Sequence, residues 1–212
     1  CDIPDVGGPK LCAIMGTIRM HDLFVFLVFA PSPQRRLLHR ARFPLPSPFV
    51  NPRRHGYEQA MHIHPLITDS AALADLCARL SKSPFITVDT EFMRENTYWP
   101  DLCLIQIADL EEAAAIDPKA PDIDLTPLLD LLVENEEVLK VFHAGGQDLE
   151  IVHNLTGKTP YPLFDTQVAA MALGMGEQIG YQNLVETMLR IKVDKGARFT
   201  DWSRRPLDAR QI

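Results

Sequence analysis

The chain has 212 residues, 46% of them hydrophobic and 23% charged, the balance of a globular protein with room for one domain of ordinary size. A net charge of −7 argues against a protein that grips nucleic acid by bulk positive charge, and no apolar run approaches the ~18 residues that suggest a membrane span. The four cysteines, Cys1, Cys12, Cys77 and Cys103, include no Cys-x-x-Cys pair and leave no cysteine site at zinc spacing, which fits free thiols in a reducing compartment.

The first sixty residues differ from the rest. They hold 8 Lys and Arg against 4 Asp and Glu, with 8 of the 17 prolines, whereas residues 61–212 hold 13 against 24. "LFVFLVFAPSP" (Leu23 to Pro33) is an apolar octet with a Pro-rich break, and "RFPLPSPFVNPRRHG" (Arg42 to Gly56) repeats Pro too often for a helix or central strand. A signal peptide is one reading, but the positive flank is thin and nothing downstream looks secreted. Residues 1–60 are therefore expected to be a disordered or non-native extension. The chain opens on Cys1 rather than Met, and Met61 is the expected start of the folded unit, residues 61–212.

From Met61 the periodicities become regular. "ITDSAALADLCARLSKS" is an amphipathic helix ending near Leu80, with Thr68 or Asp69 as N-cap. "FITVDTEF" (Phe85 to Phe92), "LCLIQIAD" (Leu102 to Asp109) and "AAAIDP" (Ala113 to Pro118) are strands, and the short link between the last two makes them antiparallel neighbours. A helix in "DLTPLLDLLVEN" precedes a strand in "VLKVFHA" (Val138 to Ala144). "GGQDLEIVHNLTG" opens on glycines that permit a sharp turn with unusual backbone angles, then runs as a helix to Gly157. Helices follow in "DTQVAAMALG" (Asp165 to Gly174) and "YQNLVETMLRI" (Tyr181 to Ile191). This order implies an α/β fold, a mixed sheet with helices packed on it.

Within these elements, Asp89 and Glu91 stand two residues apart near the end of a core strand and so share one face. Like charges that close repel unless a positive group sits between them. Asp148 falls in the first turn of the next helix, where the dipole also favours an acid. Asp165 opens its helix as an N-cap or as an additional acid of the same site. If the strands leading to Asp89 and Asp148 lie side by side, the three carboxylates converge. Such a cluster suits hard divalent cations, and two ions about 4 Å apart suit attack of water on a phosphodiester.

"VDTEF", "VFHAGGQDLEI", "PLFDTQVAAMALG" and "FTDWSRRPL" together resemble the ribonuclease D family of RNA 3′-to-5′ exonucleases, of the DEDD group, from about Met61 to the end of the chain. The resemblance implies a ribonuclease-H-like fold. It implies catalytic and metal-binding roles for Asp89, Glu91 and Asp148, and two divalent ions, Mg2+, Mn2+ or Zn2+. Its implied substrate is the RNA 3′ end, of tRNA precursors or other structured RNA, in the cytoplasm, with no membrane partner. It also implies contacts to the terminal nucleotide from Thr90 and Phe92. His143, at a strand end, and Gln147, beside Asp148, are candidate RNA contacts, each with a purely structural alternative. The end of the chain is locally basic, with Lys192, Lys195, Arg198, Arg204, Arg205 and Arg210 around Trp202, and suits phosphate pairing with single-stranded RNA. Trp202 itself is expected in the core. The family's third motif, a Tyr followed four residues later by Asp, is expected within a few residues of Ile212, where a helix begins after Pro206. The chain stops at Ile212, and Tyr161 and Tyr181 lie in the wrong segments to replace it. The resulting expectation is a partial exonuclease domain with impaired catalysis. The alternatives are a DNA proofreading-type 3′-to-5′ exonuclease and an inactive nucleic-acid-binding module. The oligomeric state is left open.

Overall fold

The computed structural model describes residues 61–95, 97–190, 200–208 and 211. The expected extension over residues 1–60, and Lys192, Lys195, Arg198 and Arg210, lie outside the described residues.

Six strands form one mixed sheet. They are β1 (His62–Ile63), β2 (Phe85–Met93), β3 (Asp101–Ala108), β4 (Glu112–Ile116), β5 (Leu139–Phe142) and β6 (Leu163–Asp165), in the spatial order β1-β4-β3-β2-β5-β6. Among the described residues, five helices accompany them: α1 (Ser70–Leu80), α2 (Thr126–Val133), α3 (Gly146–Thr156), α4 (Thr166–Ala172) and α5 (Tyr181–Leu189). β2, β3 and β4 are antiparallel neighbours, β5 is parallel to β2, and the edge strands β1 and β6 are parallel to β4 and β5. Both edge strands escape a reading of the sequence, because two or three residues cannot display a period of two.

The helices form where their apolar spacing allows. α1 buries Leu73, Leu76, Cys77 and Leu80, a spacing that lines one stripe, and its N-cap is Asp69, whose Oδ1 accepts from the Ala72 N–H at 2.9 Å. α2 buries Leu128, Leu131 and Leu132. With Val152 of α3, these side chains cover Ile86, Val88, Ile105, Ile107, Ala114 and Ile116 on one face of the sheet. Each leucine so buried contributes on the order of 2 kcal/mol. On the other face, Trp202 and Leu207 pack on Cys103, Leu104, Ala108, Ala113 and Ala115. Farther along that face, Phe85 and Val141 meet Tyr181 at the start of α5. Trp202 is thus a core residue, as expected. Among the described residues no helix is long and apolar enough to cross a membrane.

Two features of this sheet build the site. β2 outruns β5: their pairing ends at Thr87 with Val141, while β2 continues to Met93. The β2–β3 register also slips directly after Glu91, with Glu91 opposite Leu104 and Phe92 opposite Leu102. The extra residue at the slip is Cys103, so a bulge re-aims the strand end where the acids lie.

The turn after β5 differs from the expected glycine turn. Neither Gly145 nor Gly146 has a positive φ; the left-handed residue is Ala144, at φ 54°. Gly145 is required by close approach instead, since a Cβ there would stand 2.7 Å from the Phe142 Cβ, whereas one on Gly146 would meet open space.

Candidate active site

Alternation along β2 places Asp89 and Glu91 on the face opposite Ile86 and Val88, and the register sets them across from Gln106 and Leu104. Both acids are half-buried. The parallel neighbour β5 has ended by this point, and α3 begins beyond its carboxyl end. Asp148, in the first turn of α3, therefore reaches the edge of β2 that β5 no longer covers. Its Oδ1 accepts from the Thr90 backbone N–H at 3.0 Å and from the Thr90 hydroxyl at 2.5 Å. The site lies at the carboxyl ends of two adjacent parallel strands, the usual crevice of open α/β sheets.

The charge of Asp148 bears on both Asp89 and Glu91. Burial first, then the charges of Asp148 and Glu91, hold Asp89 well above the usual carboxylate range. Burial, with the Asp148 charge behind it, pushes Glu91 up to about 7. Burial also pushes Asp148 up to about 6, against the lowering effect of the Thr90 hydrogen bonds. Three carboxyls in this setting resist losing their protons, because burial and one another's charge disfavour the ionised form. Among the described residues, no group of three or more His, Cys, Asp or Glu is arranged so that it could hold a metal ion.

Asp165 is the N-cap of α4, accepting from the Gln167 and Val168 N–H groups at 2.7 and 3.3 Å. The same carboxylate accepts from the N–H groups of Ala144 and Gly145 at 3.1 and 2.9 Å. With four backbone donors, Asp165 pins the strained β5–α3 turn, and with it the start of the helix that carries Asp148. Tyr161 stands four residues before Asp165, the spacing of the family's third motif, but its ring is 60% exposed. That carboxylate is therefore committed to backbone, and the pair does not stand in for the motif.

The remaining candidates separate. His143 is half-buried, with its Nδ1 2.8 Å from the Thr166 hydroxyl and its ring edge-on to Tyr181 at 5.4 Å; burial lowers its pKa, against the charge of Asp165. Gln147 is exposed beside Asp148, and Phe92 is half-buried next to Glu91. Arg204 is exposed. Arg205 is where the structure departs from expectation. Its five guanidinium N–H bonds go to both Asp117 oxygens at 2.6 and 2.7 Å, to the carbonyls of Trp202 and Arg204 at 2.9 Å, and to Cys103 O at 2.7 Å. Arginine has five such donors, so Arg205 fastens the segment carrying Trp202 and has none left for RNA.

One residue was missed from sequence, and one has a further role. Thr90, expected as a nucleotide contact, also clamps Asp148. Fully buried Thr166 donates from its hydroxyl to Phe142 O at 3.1 Å, joining α4 to the end of β5. A threonine on a strand face otherwise built of Ile and Val was the available signal for Thr90.

The family model of 3′-5′ exonucleases matches residues 65–212. Curated relatives described as ribonuclease D include one from Sphingobium indicum, 77% identical over 152 residues, and one from Zymomonas mobilis, 74% identical over 152 residues. Each alignment covers 72% of this chain and 39% of the relative, so the chain spans about two fifths of the length of the relatives it matches. Among solved structures, that of Escherichia coli RNase D, described as an exoribonuclease involved in structured RNA processing, aligns with a TM-score of 0.66 at 42% identity. It covers 70% of this chain and 39% of that one.

Proposed function

The chain belongs to the 3′-5′ exonuclease family as a homologue of ribonuclease D, and on that premise we propose that residues 61–212 form the catalytic part of a divalent-metal-dependent exoribonuclease. It hydrolyses phosphodiester bonds one nucleotide at a time from RNA 3′ ends, with tRNA precursors and other structured RNA as the substrate class. The observation that supports this reading is Asp148 hydrogen-bonded to Thr90, the residue between Asp89 and Glu91 on β2.

Asp89, Glu91 and Asp148 would hold the cations through their carboxylate oxygens. Two Mg2+ or Mn2+ ions, with Zn2+ as the other candidate, would supply an activated water and neutralise the leaving oxygen. Thr90 keeps Asp148 oriented, and Asp165 keeps the turn before it in place, so the oxygens are preorganised before metal or RNA arrives. Phe92, Gln147 and His143 are proposed to line the path of the terminal nucleotide. Arg204, exposed and cationic, suits a phosphate. A fourth carboxylate and the tyrosine of the family's third motif would hold the second ion and aim the water. Adding a segment that carries them should raise the trimming rate at least about 100-fold.

The test is release of mononucleotides from 3′-labelled RNA and matched DNA strands in Mg2+ or Mn2+, with chelator as control. Metal-dependent release that needs the 2′-hydroxyl supports the reading. Equal trimming of DNA would favour the proofreading class. Binding without release in any metal, with the third-motif segment added, would leave an inactive binding module.

A further inference from the structure

We propose that Tyr98 and Trp99, on the β2–β3 loop, form a stacking platform for the bases of single-stranded RNA upstream of the 3′-terminal nucleotide. The inference rests on the exonuclease reading above and adds a substrate-binding surface to it.

The loop leaves β2 at Met93, two residues beyond Glu91, and returns into β3 at Asp101. At ~3.3 Å per residue, the strand end lies ~7 Å beyond Glu91, and the loop begins there. At its tip Tyr98 is 79% and Trp99 is 44% exposed. Two adjacent aromatic rings with this much surface in solvent make an exposed apolar patch on the loop. The rings hold one another edge to face, with centroids 5.1 Å apart, and the Thr97 hydroxyl donates to Trp99 O at 2.6 Å. They are thus presented in a fixed arrangement.

The base of the loop is tied to the catalytic helix. Arg94 makes two hydrogen bonds to the Glu150 carboxylate, at 2.8 and 3.0 Å, and Glu150 follows Asp148 by two residues on α3. The ion pair therefore joins the base of the loop to the helix that carries the third acid. The same ion pair neutralises a carboxylate that would otherwise repel phosphate beside an already acidic cluster. Aromatic faces hold bases without reading their identity. A surface of this kind suits an enzyme that must accept any 3′ end and keep the strand engaged as it shortens. The occupant that fits an open aromatic pair beside phosphodiester-cleaving acids is single-stranded nucleic acid.

The experiment uses the full chain in Ca2+, with an RNA octanucleotide and a dinucleotide as probes, read by anisotropy and by tryptophan fluorescence. The double substitution Tyr98→Ala and Trp99→Ala should weaken octanucleotide binding at least about tenfold, the lower part of the range for stacked bases. It should leave dinucleotide binding and the unfolding midpoint unchanged, and Tyr98→Phe with Trp99→Phe should restore octanucleotide binding. The octanucleotide should quench the fluorescence of Trp99, a signal lost in Trp99→Phe, because Trp202 is buried. Wild-type octanucleotide binding that ignores the alanine substitutions would overturn this inference alone. So would an aromatic pair whose removal only abolishes self-association or capture of a protein partner. A wild-type chain that binds neither probe would overturn the exonuclease reading and the inference with it.

Discussion

At the scale of single residues, the acids that make the site useful make the metal-free protein less stable. Glu91 titrates at about 7 and Asp148 at about 6 in the fold, above ordinary carboxylates. The folded chain therefore binds more protons than the unfolded chain between about pH 4 and 7. Their contribution is fully present below the unfolded pKa and is lost as pH rises through the folded values. In chelator, the stability difference between wild type and Asp89→Asn should be small near pH 4.5 and should grow toward pH 7.5 in favour of Asp89→Asn. Added Mn2+ should stabilise the wild type more than the variant. Urea denaturation at the two pH values checks both, and a clear loss of metal-free stability in Asp89→Asn would assign it a structural hydrogen-bonding role instead. Thr90→Val removes one of the two hydrogen bonds that Thr90 gives to Asp148. It should cost about 1–3 kcal/mol, and should lower the trimming rate more than that loss of stability accounts for.

At the scale of elements, the turn from β5 to α3 sets where Asp148 arrives. Its tolerance should be asymmetric between two neighbouring glycines. Gly145→Ala drives a Cβ against the Phe142 Cβ, which is anchored to the backbone and has no rotamer to yield. It should destabilise by about 1–3 kcal/mol and reduce activity, because α3 must shift. Gly146→Ala has open space and a φ that any residue adopts. Its effect should lie between neutral and a gain of about 1 kcal/mol. Thermal unfolding of the two variants side by side checks the pair, and an equal loss in both would show that chain flexibility matters here more than the close approach to Phe142.

At the scale of the whole molecule, one arginine fastens the segment around Trp202 to the sheet. Asp117 is buried, and Arg205 spans it, the Cys103 carbonyl and the loop that carries Trp202. Arg205→Ala leaves the Asp117 carboxylate without its partner and should cost about 3 kcal/mol. Limited proteolysis should then cut near residue 200. Lysine cannot reproduce the fork, so Arg205→Lys should recover only part of the loss. If Arg205 instead met RNA, its substitution would leave stability alone and lower the salt dependence of RNA binding by one phosphate contact.

Much of this protein was readable from residue order. The long elements β2, β3, α1 and α3 are each eight or more residues long, and Asp89 and Glu91 share one face of β2 while Asp148 stands in the first turn of α3. The four quoted segments carried the family resemblance because each is contiguous. What they could not show is how far one strand outruns its neighbour. The clamp of Thr90 on Asp148 joins residues 58 apart, and the latch of Arg205 on Asp117 joins residues 88 apart. Both depend on which strands are adjacent and where each one stops. Arg205 was free to be a phosphate contact until Asp117 came to face it, and nothing local to Thr90 announced that Asp148 would reach it. Local spacing determines which way a side chain points along its own element. Only the packed sheet determines which partner it meets, because that partner arrives from elsewhere in the chain.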